Sequence, residues 1–372
     1  MTFGGTRSDA EKALAKALSR YIGYTTGAYD LVRIVSVLEC FAGRASAYKE
    51  EVVAELRSQS EDRRNEPADT YLSEIINFAQ AMDLIATVSS RETKLQRLAP
   101  TETGRSVLGA KAANDAGFYQ FYLARTVLQA DSDYLYPVIK YFTGMHGANI
   151  QEYFVFAQTA LREERKAWLV EVFPEKILLS RIAEQISWLS APRGGAGDYR
   201  IDVPTMNTAR HHSAPRQGWL HELGIWDRTS KTLTKFGTDV LRTLEPSGSY
   251  FWLGPDSGVQ DALRIVPALQ KGGPFEDQLE FAAYETEPSE ADVAALVSDV
   301  SDVMVASFRD AKLVHAAQAS LRLPIEYIQY RAYQDKKRYD WVSLLEKLFH
   351  EKKAILERFS AHKGLVGFYR AK

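Results

Sequence analysis

The chain has 372 residues, 45% of them hydrophobic and 25% charged, a composition typical of folded domains that excludes an intrinsically disordered protein. No apolar run reaches the ~18–20 residues that a membrane span requires, and the first residues lack the charged and apolar blocks of a signal peptide. Charge is uneven, since residues 251–308 hold 2 basic and 11 acidic residues whereas residues 309–372 hold 14 basic and 7 acidic residues. This asymmetry indicates interaction surfaces or mutual docking.

The first part of the chain predicts four helices, over residues 8–24, 28–42, 46–60 and 69–84. The last of them repeats apolar residues at helical spacing, from Leu72 to Met82. Two short strands, 85–88 and 94–98, follow and are joined by a polar turn. Three helices before a two-stranded hairpin are the order of a winged helix, in which the turn is the wing.

The same order recurs further along. Helices are predicted over 116–145, 149–172 and 175–191, and a polar helix over 205–223. A hairpin, Ile225–Leu233, and a helix capped by Thr234 complete the second copy. Both copies close with one pattern, Leu98…Gly104-x-x-Val107-Leu108 and Leu233…Gly237-x-x-Val240-Leu241, which indicates a repeat.

The sequence therefore predicts a mainly α fold with small β-hairpin wings. It comprises two winged-helix units joined by a helical region, and a C-terminal helical region. The predicted domains are 1–112 with the first winged helix, 113–177 as a helical connector, 178–250 with the second winged helix, and 251–372, acidic then basic. The last domain contains two predicted long helices, 290–319 and 324–362. We favour packing of the basic helix on the acidic block, and nucleic-acid contact is the alternative.

The polar helix 205–223 is the best candidate for a binding surface. At 100° per residue, one stripe packs inward: Ala209, Arg216, Trp219, Leu220 and Leu223. The opposite side carries small or hydrogen-bonding residues and no acidic one: Asn207, Arg210, Ala214, Gln217, Gly218 and His221, with His211 at its edge. Such a face suits a DNA major groove. Pro215 either kinks this helix or restarts a shorter one, which would leave residues 210–212 on a loop.

The string Thr208-Ala-Arg210…Trp219-Leu-x-x-Leu-Gly-Ile225, closed by Leu233-Thr-x-x-Gly237, resembles winged-helix modules in the recognition parts of type IIS restriction enzymes and related bacterial defence proteins. The resemblance covers about 45 residues. It implies duplex DNA binding by Arg210, Gln217 and the wing cations Arg228 and Lys231. The chain departs from such enzymes because it lacks an Asp followed by Glu-x-Lys, the usual nuclease set.

Candidate DNA-binding residues lie in both units. In the second they are Asn207, Thr208, Arg210, His211, Gln217, His221, Arg228, Lys231 and Lys235. In the first they are Asn77, Arg91 and Lys94. The helix of the first unit is expected to expose Ser73, Glu74, Asn77 and Gln80, and a carboxylate facing phosphates is unfavourable. A scaffold role therefore stays open for this copy.

No residue set predicts catalysis, a cofactor or a metal. His211, His212 and His221 point in different directions on a helix, and the Gly194–Gly197 run lacks the Lys-Ser/Thr of a phosphate loop. The single cysteine, Cys40, favours a reducing cytoplasm. We therefore expect a non-catalytic, cytoplasmic duplex DNA-binding protein, the recognition or accessory subunit of a bacterial restriction or phage-defence complex. Another chain would carry the motor or nuclease activity. The alternative is a scaffold whose winged helices bind proteins.

Overall fold

The computed structural model describes residues 22, 30–59, 69–89, 96–144, 149–158, 206–244, 286–309, 319–359 and 368–371. The fold is mainly helical with small antiparallel sheets of two or three strands, as the sequence predicts. Within these ranges, no helix combines the length and the apolar character needed to cross a membrane. The helix predicted over 8–24, apart from residue 22, the helix predicted over 175–191, and residues 159–172 of another lie outside the described residues.

The chain divides into two compact units, each built from two stretches. Unit I comprises residues 1–30 and 127–278, and unit II comprises residues 31–126 and 279–372. The predicted domains 1–112, 113–177, 178–250 and 251–372 do not coincide with these units. The segment predicted as the first winged helix shares unit II with the C-terminal region, because the chain returns to this unit after residue 278.

The first module, residues 31–112, begins unit II. Its elements are α1 (Leu31–Glu39), β1 (Ala47–Tyr48), α2 (Lys49–Ser58), α3 (Asp69–Ala81), β2 (Ile85–Ser89), β3 (Gln96–Pro100) and α4 (Glu102–Ala112). The sheet order is β1–β3–β2, antiparallel throughout. From α1 to β3 this is the element order of a winged helix, and β1 was not predicted. Apolar side chains of α1, α2 and α3 form its core, as the helical periodicity requires.

The division between the two units falls within helix α5 (Ala116–Tyr141), after residue 126. Residues 150–158 form α6. Asp131 has non-helical backbone angles, φ −136° and ψ 20°, so α5 is kinked there.

The second module, residues 206–244, consists of α7 (Met206–Glu222), β4 (Trp226–Asp227), β5 (Thr232–Leu233) and α8 (Lys235–Leu244). Helix α7 runs through Pro215 without a break, so the alternative with residues 210–212 on a loop is wrong. The predicted inward stripe is confirmed, since Ala209, Arg216, Trp219, Leu220 and Leu223 are all fully buried.

The repeated closing pattern has one local geometry in both modules. The backbone N–H and the hydroxyl of Thr101 donate to the carbonyl of Leu84, and the N–H of Gly104 donates to the Thr101 hydroxyl. Thr234 makes the same three bonds. Its backbone N–H and hydroxyl donate to the carbonyl of Ile225, and the N–H of Gly237 donates to its hydroxyl. A Cβ atom on either glycine would collide with the carbonyl that its threonine binds. The repeat is therefore structural, because this turn needs both a threonine and a glycine.

A third module, residues 290–371, completes unit II and was not predicted. Its elements are α9 (Glu290–Arg309), β6 (Ala319–Ser320), α10 (Arg322–Asp335), α11 (Trp341–Glu351), β7 (Leu356–Phe359) and β8 (Phe368–Ala371). The sheet order, β6–β8–β7, repeats that of the first module. The helix–strand–helix–helix–strand–strand order is the same as well. Helix α4 of the first module packs against α9 and α10.

The helix predicted over 290–319 is confirmed over its described residues up to Arg309, whereas the single helix predicted over 324–362 is wrong, because two helices and a strand occupy that range. The first helix stops at Arg309 among the described residues, and Ala319 lies in a strand. Lys336 adopts the left-handed conformation, φ 53°, which ends α10, and the Asp340 side chain accepts from the Val342 N–H to start α11. The favoured packing on the acidic block is confirmed for α9, which pairs Asp299 with Arg331 and Asp292 with Lys337.

Candidate nucleic-acid interface

A buried ion pair fixes α7 against the kink of α5. The Nε of Arg216 donates to Asp131 Oδ2 at 2.6 Å, and its Nη2 donates to Oδ1 at 2.7 Å. The remaining donors reach the carbonyls of His212 at 2.6 Å and Ile22 at 3.0 Å. Both charged side chains are completely buried. Arg216 is therefore a structural residue, although it shares α7 with the candidate DNA-binding residues.

His212 is also on the inward side of α7. It packs between the rings of Tyr134 and Phe154, at centroid distances of 5.0 and 6.4 Å. Burial, with the nearby Arg216 charge, lowers the pKa of His212 to about 3. The ring is therefore neutral near pH 7, and its position makes it a packing residue.

The outward side of α7 holds the predicted candidates. Arg210, His211 and His221 are exposed, and Gln217 is half-buried, with its amide 3.5 Å from the Ser213 carbonyl. Ring nitrogen Nδ1 of His221 lies 3.3 Å from the carbonyl oxygen of Trp226. Asn207 and Thr208 belong to α7, but the structure describes only their backbone.

The hairpin adds cations beside this face. Arg228, Lys231 and Lys235 are exposed, and the left-handed conformation of Lys231, φ 56°, closes the turn. Hydrogen bonds from the Thr229 backbone and the Ser230 side chain hold the pKa of Asp227 below its ordinary value. Within the described part of the chain, Arg210, Arg228, Lys231 and Lys235 have no carboxylate at ion-pair distance.

The matching helix of the first module, α3, has a different surface. Asn77 is exposed as predicted, and Glu74 is half-buried on the same side. The prediction that Gln80 is exposed is wrong, because Gln80 is buried and donates to the Thr87 hydroxyl at 3.0 Å. The wing candidates Arg91 and Lys94 lie outside the described residues.

The matching helix of the third module, α11, mixes apolar and acidic groups. Trp341 and Val342 are 43% and 45% exposed, Glu346 is exposed, and Lys347 pairs with Glu351. By contrast, the sole carboxylate in α7 is its last residue, Glu222. Of these three helices, α7 therefore presents the surface most compatible with phosphate.

The arrangement around α7 offers exposed cations and hydrogen-bond donors. Among the residues that the structure describes, no cluster of three His, Cys, Asp or Glu side chains could hold a metal ion. No family model matches the chain, and no curated protein or solved structure matches it significantly. The function is therefore inferred from the chemistry of this surface.

Proposed function

We propose that the protein binds duplex DNA through the second module, with α7 in the major groove. The observation that carries this proposal is a set of four exposed cations, Arg210, Arg228, Lys231 and Lys235, which have no acidic partner among the described residues and surround a helix face without a central carboxylate. Phosphate neutralisation by such cations supplies most of the affinity in DNA binding.

The proposed contacts follow from position. The N-terminal half of α7, with Asn207, Thr208, Arg210 and His211, enters the groove, where arginine and asparagine read guanine and adenine edges. Gln217 and His221 follow on the same side. The hairpin cations and Lys235 contact phosphates. Asn77, Arg91 and Lys94 of the first module are proposed as additional contacts.

The biological setting is proposed from the sequence resemblance. A cytoplasmic recognition or accessory subunit of a bacterial restriction or phage-defence complex would supply DNA binding, while a second chain supplies the motor or nuclease. Unit II, whose first and third modules share one element order, offers a surface for that second chain.

The test is the double substitution Arg210→Ala and Gln217→Ala, measured by fluorescence anisotropy on a pool of mixed-sequence duplexes. Each lost base contact costs about 1–3 kcal/mol, so we expect affinity to fall by about 10-fold or more. Arg338→Ala is the matched control, because Arg338 is an exposed arginine between α10 and α11. Equal affinity of the double variant and the wild type for the duplex pool would contradict the proposal.

The scaffold function is the second candidate, and the exposed Trp341 and Val342 of α11 favour it for the third module. Exposed apolar groups beside charged ones are typical of protein contacts. If the wild-type protein binds no duplex at low salt, the scaffold function replaces DNA binding.

A further inference from the structure

A row of aromatic rings runs from the outward face of α7 to α6. In order, the members of this aromatic row are His221, Trp226, Phe142, Tyr141, Tyr153 and Phe156. Successive ring centroids are separated by 6.3, 4.4, 5.6, 5.9 and 6.4 Å. Trp226 and Phe142 are stacked, with an interplanar angle of 22°. All six residues belong to unit I.

Exposure distinguishes this row from a core cluster. In unit II, Phe118 packs against Tyr122 and Tyr327, and all three are buried, at 0%, 2% and 5% exposure. In the aromatic row, His221 and Phe156 are exposed at the two ends, Phe156 by 68%, and the four rings between them are half-buried. The row therefore leaves aromatic surface accessible.

Charged residues of both signs adjoin the aromatic row in the sequence. Carboxylate Glu152 is held by reciprocal hydrogen bonds with Asn149 at the start of α6, and Asp227 is held by the hairpin turn. Arg228 follows in the same hairpin and is exposed. Aromatic faces beside cations bind unpaired bases by stacking, which contributes about 1–3 kcal/mol per base.

We propose that the aromatic row binds unpaired bases of a DNA strand that leaves the duplex beside α7. This inference rests on the proposed function, because His221 belongs both to the outward face of α7 and to the row. The ligand would thus be a junction between duplex and single strand. A duplex held by α7 would place its departing strand at His221, and Phe156 would stack a base further along.

The test compares three kinds of labelled DNA by fluorescence anisotropy. They are a blunt duplex, the same duplex with a single-stranded thymine tail at the 5′ or the 3′ end of one strand, and the tail alone. We expect a tail to raise wild-type affinity by about 5-fold or more, the equivalent of one stacked base. Phe156→Ala should abolish this gain and leave blunt-duplex affinity unchanged, whereas Phe156→Tyr should keep it. Val32→Ala is the matched control, because Val32 is 64% exposed in unit II.

The outcomes separate the two proposals. Blunt-duplex binding without a tail gain, or with a gain that Phe156→Ala leaves intact, overturns the aromatic row and leaves the proposed function standing. Binding of the tail alone that depends on Phe156, without duplex binding, supports the row and contradicts the proposed function. No binding of any of the three DNAs overturns both, and the row would then be a surface for a protein segment.

Discussion

Substitution of Asp131 by leucine tests how α7 is held in place. Asp131 accepts from the Ile22 N–H at 2.7 Å and from two nitrogens of Arg216. The variant leaves Arg216 with the carbonyls of His212 and Ile22 as its remaining hydrogen-bond acceptors. Because Arg216 is fully buried, its charge would lose its counter-ion Asp131 while staying shielded from bulk solvent.

The magnitude follows from these contacts. Removing one partner of a buried ion pair costs about 3–5 kcal/mol, and the buried Ile22 N–H loses its acceptor, which adds about 1–3 kcal/mol. We therefore expect the opening free energy of α7 to fall by about 4 kcal/mol or more. Asp131→Leu combined with Arg216→Met removes both charges and should cost less than Asp131→Leu alone.

Hydrogen exchange measured by mass spectrometry on peptides from α7 gives this opening free energy in the full-length protein. Asp302→Leu is the control, since Asp302 is exposed on α9 of unit II. Unchanged protection of α7 in Asp131→Leu would refute the buried pair. A double variant less protected than the single one would refute the charge argument.

The remaining predictions concern pH and the repeated turn. Burial holds the pKa of His212 at about 3, below the ~6.5 of an unfolded histidine, so the associated stability is present above about pH 6.5 and is lost as the pH falls toward 3. Between pH 7 and pH 5 the free energy of unfolding of unit I should fall by about 2 kcal/mol in the wild type, and His212→Leu should not show this fall. Urea unfolding at the two pH values measures both. Gly104→Ala and Gly237→Ala should each destabilise their module by about 1–3 kcal/mol, because the added methyl group meets the carbonyl of Leu84 or Ile225. Unchanged thermal melting of either variant would show that the turn can relax.

Local patterns were predictable from the sequence. The inward stripe of α7 follows from helical periodicity, which places Trp219 and Leu223 on one side. The closing pattern Leu…Gly-x-x-Val-Leu could be identified as a repeat because each copy contains a local turn, in which the glycine N–H donates to the threonine three residues before it. Exposure of Arg210 and His221 followed from the same helical phase.

Long-range features were not predictable. The partner of Arg216 is 85 residues away in the chain, and only the buried stripe indicated that Arg216 turns inward. The third module was missed because apolar residues from Tyr327 to Leu356 fit helical spacing. Helix α10 ends after Asp335 because Lys336 adopts the left-handed backbone conformation, which the presence of a lysine does not predict. Strands β1 and β6 have two residues each, too few for a periodic pattern.

The most direct test of DNA binding by the second module is the salt dependence of duplex affinity. For the wild type, affinity should fall steeply between about 50 and 200 mM salt, with a slope of about −0.9 per phosphate contact in a logarithmic plot. The triple variant Arg228→Ala, Lys231→Ala and Lys235→Ala should reduce that slope by about two to three units. A wild-type affinity independent of salt, or a triple variant with the wild-type slope, would contradict the assignment of these cations to DNA.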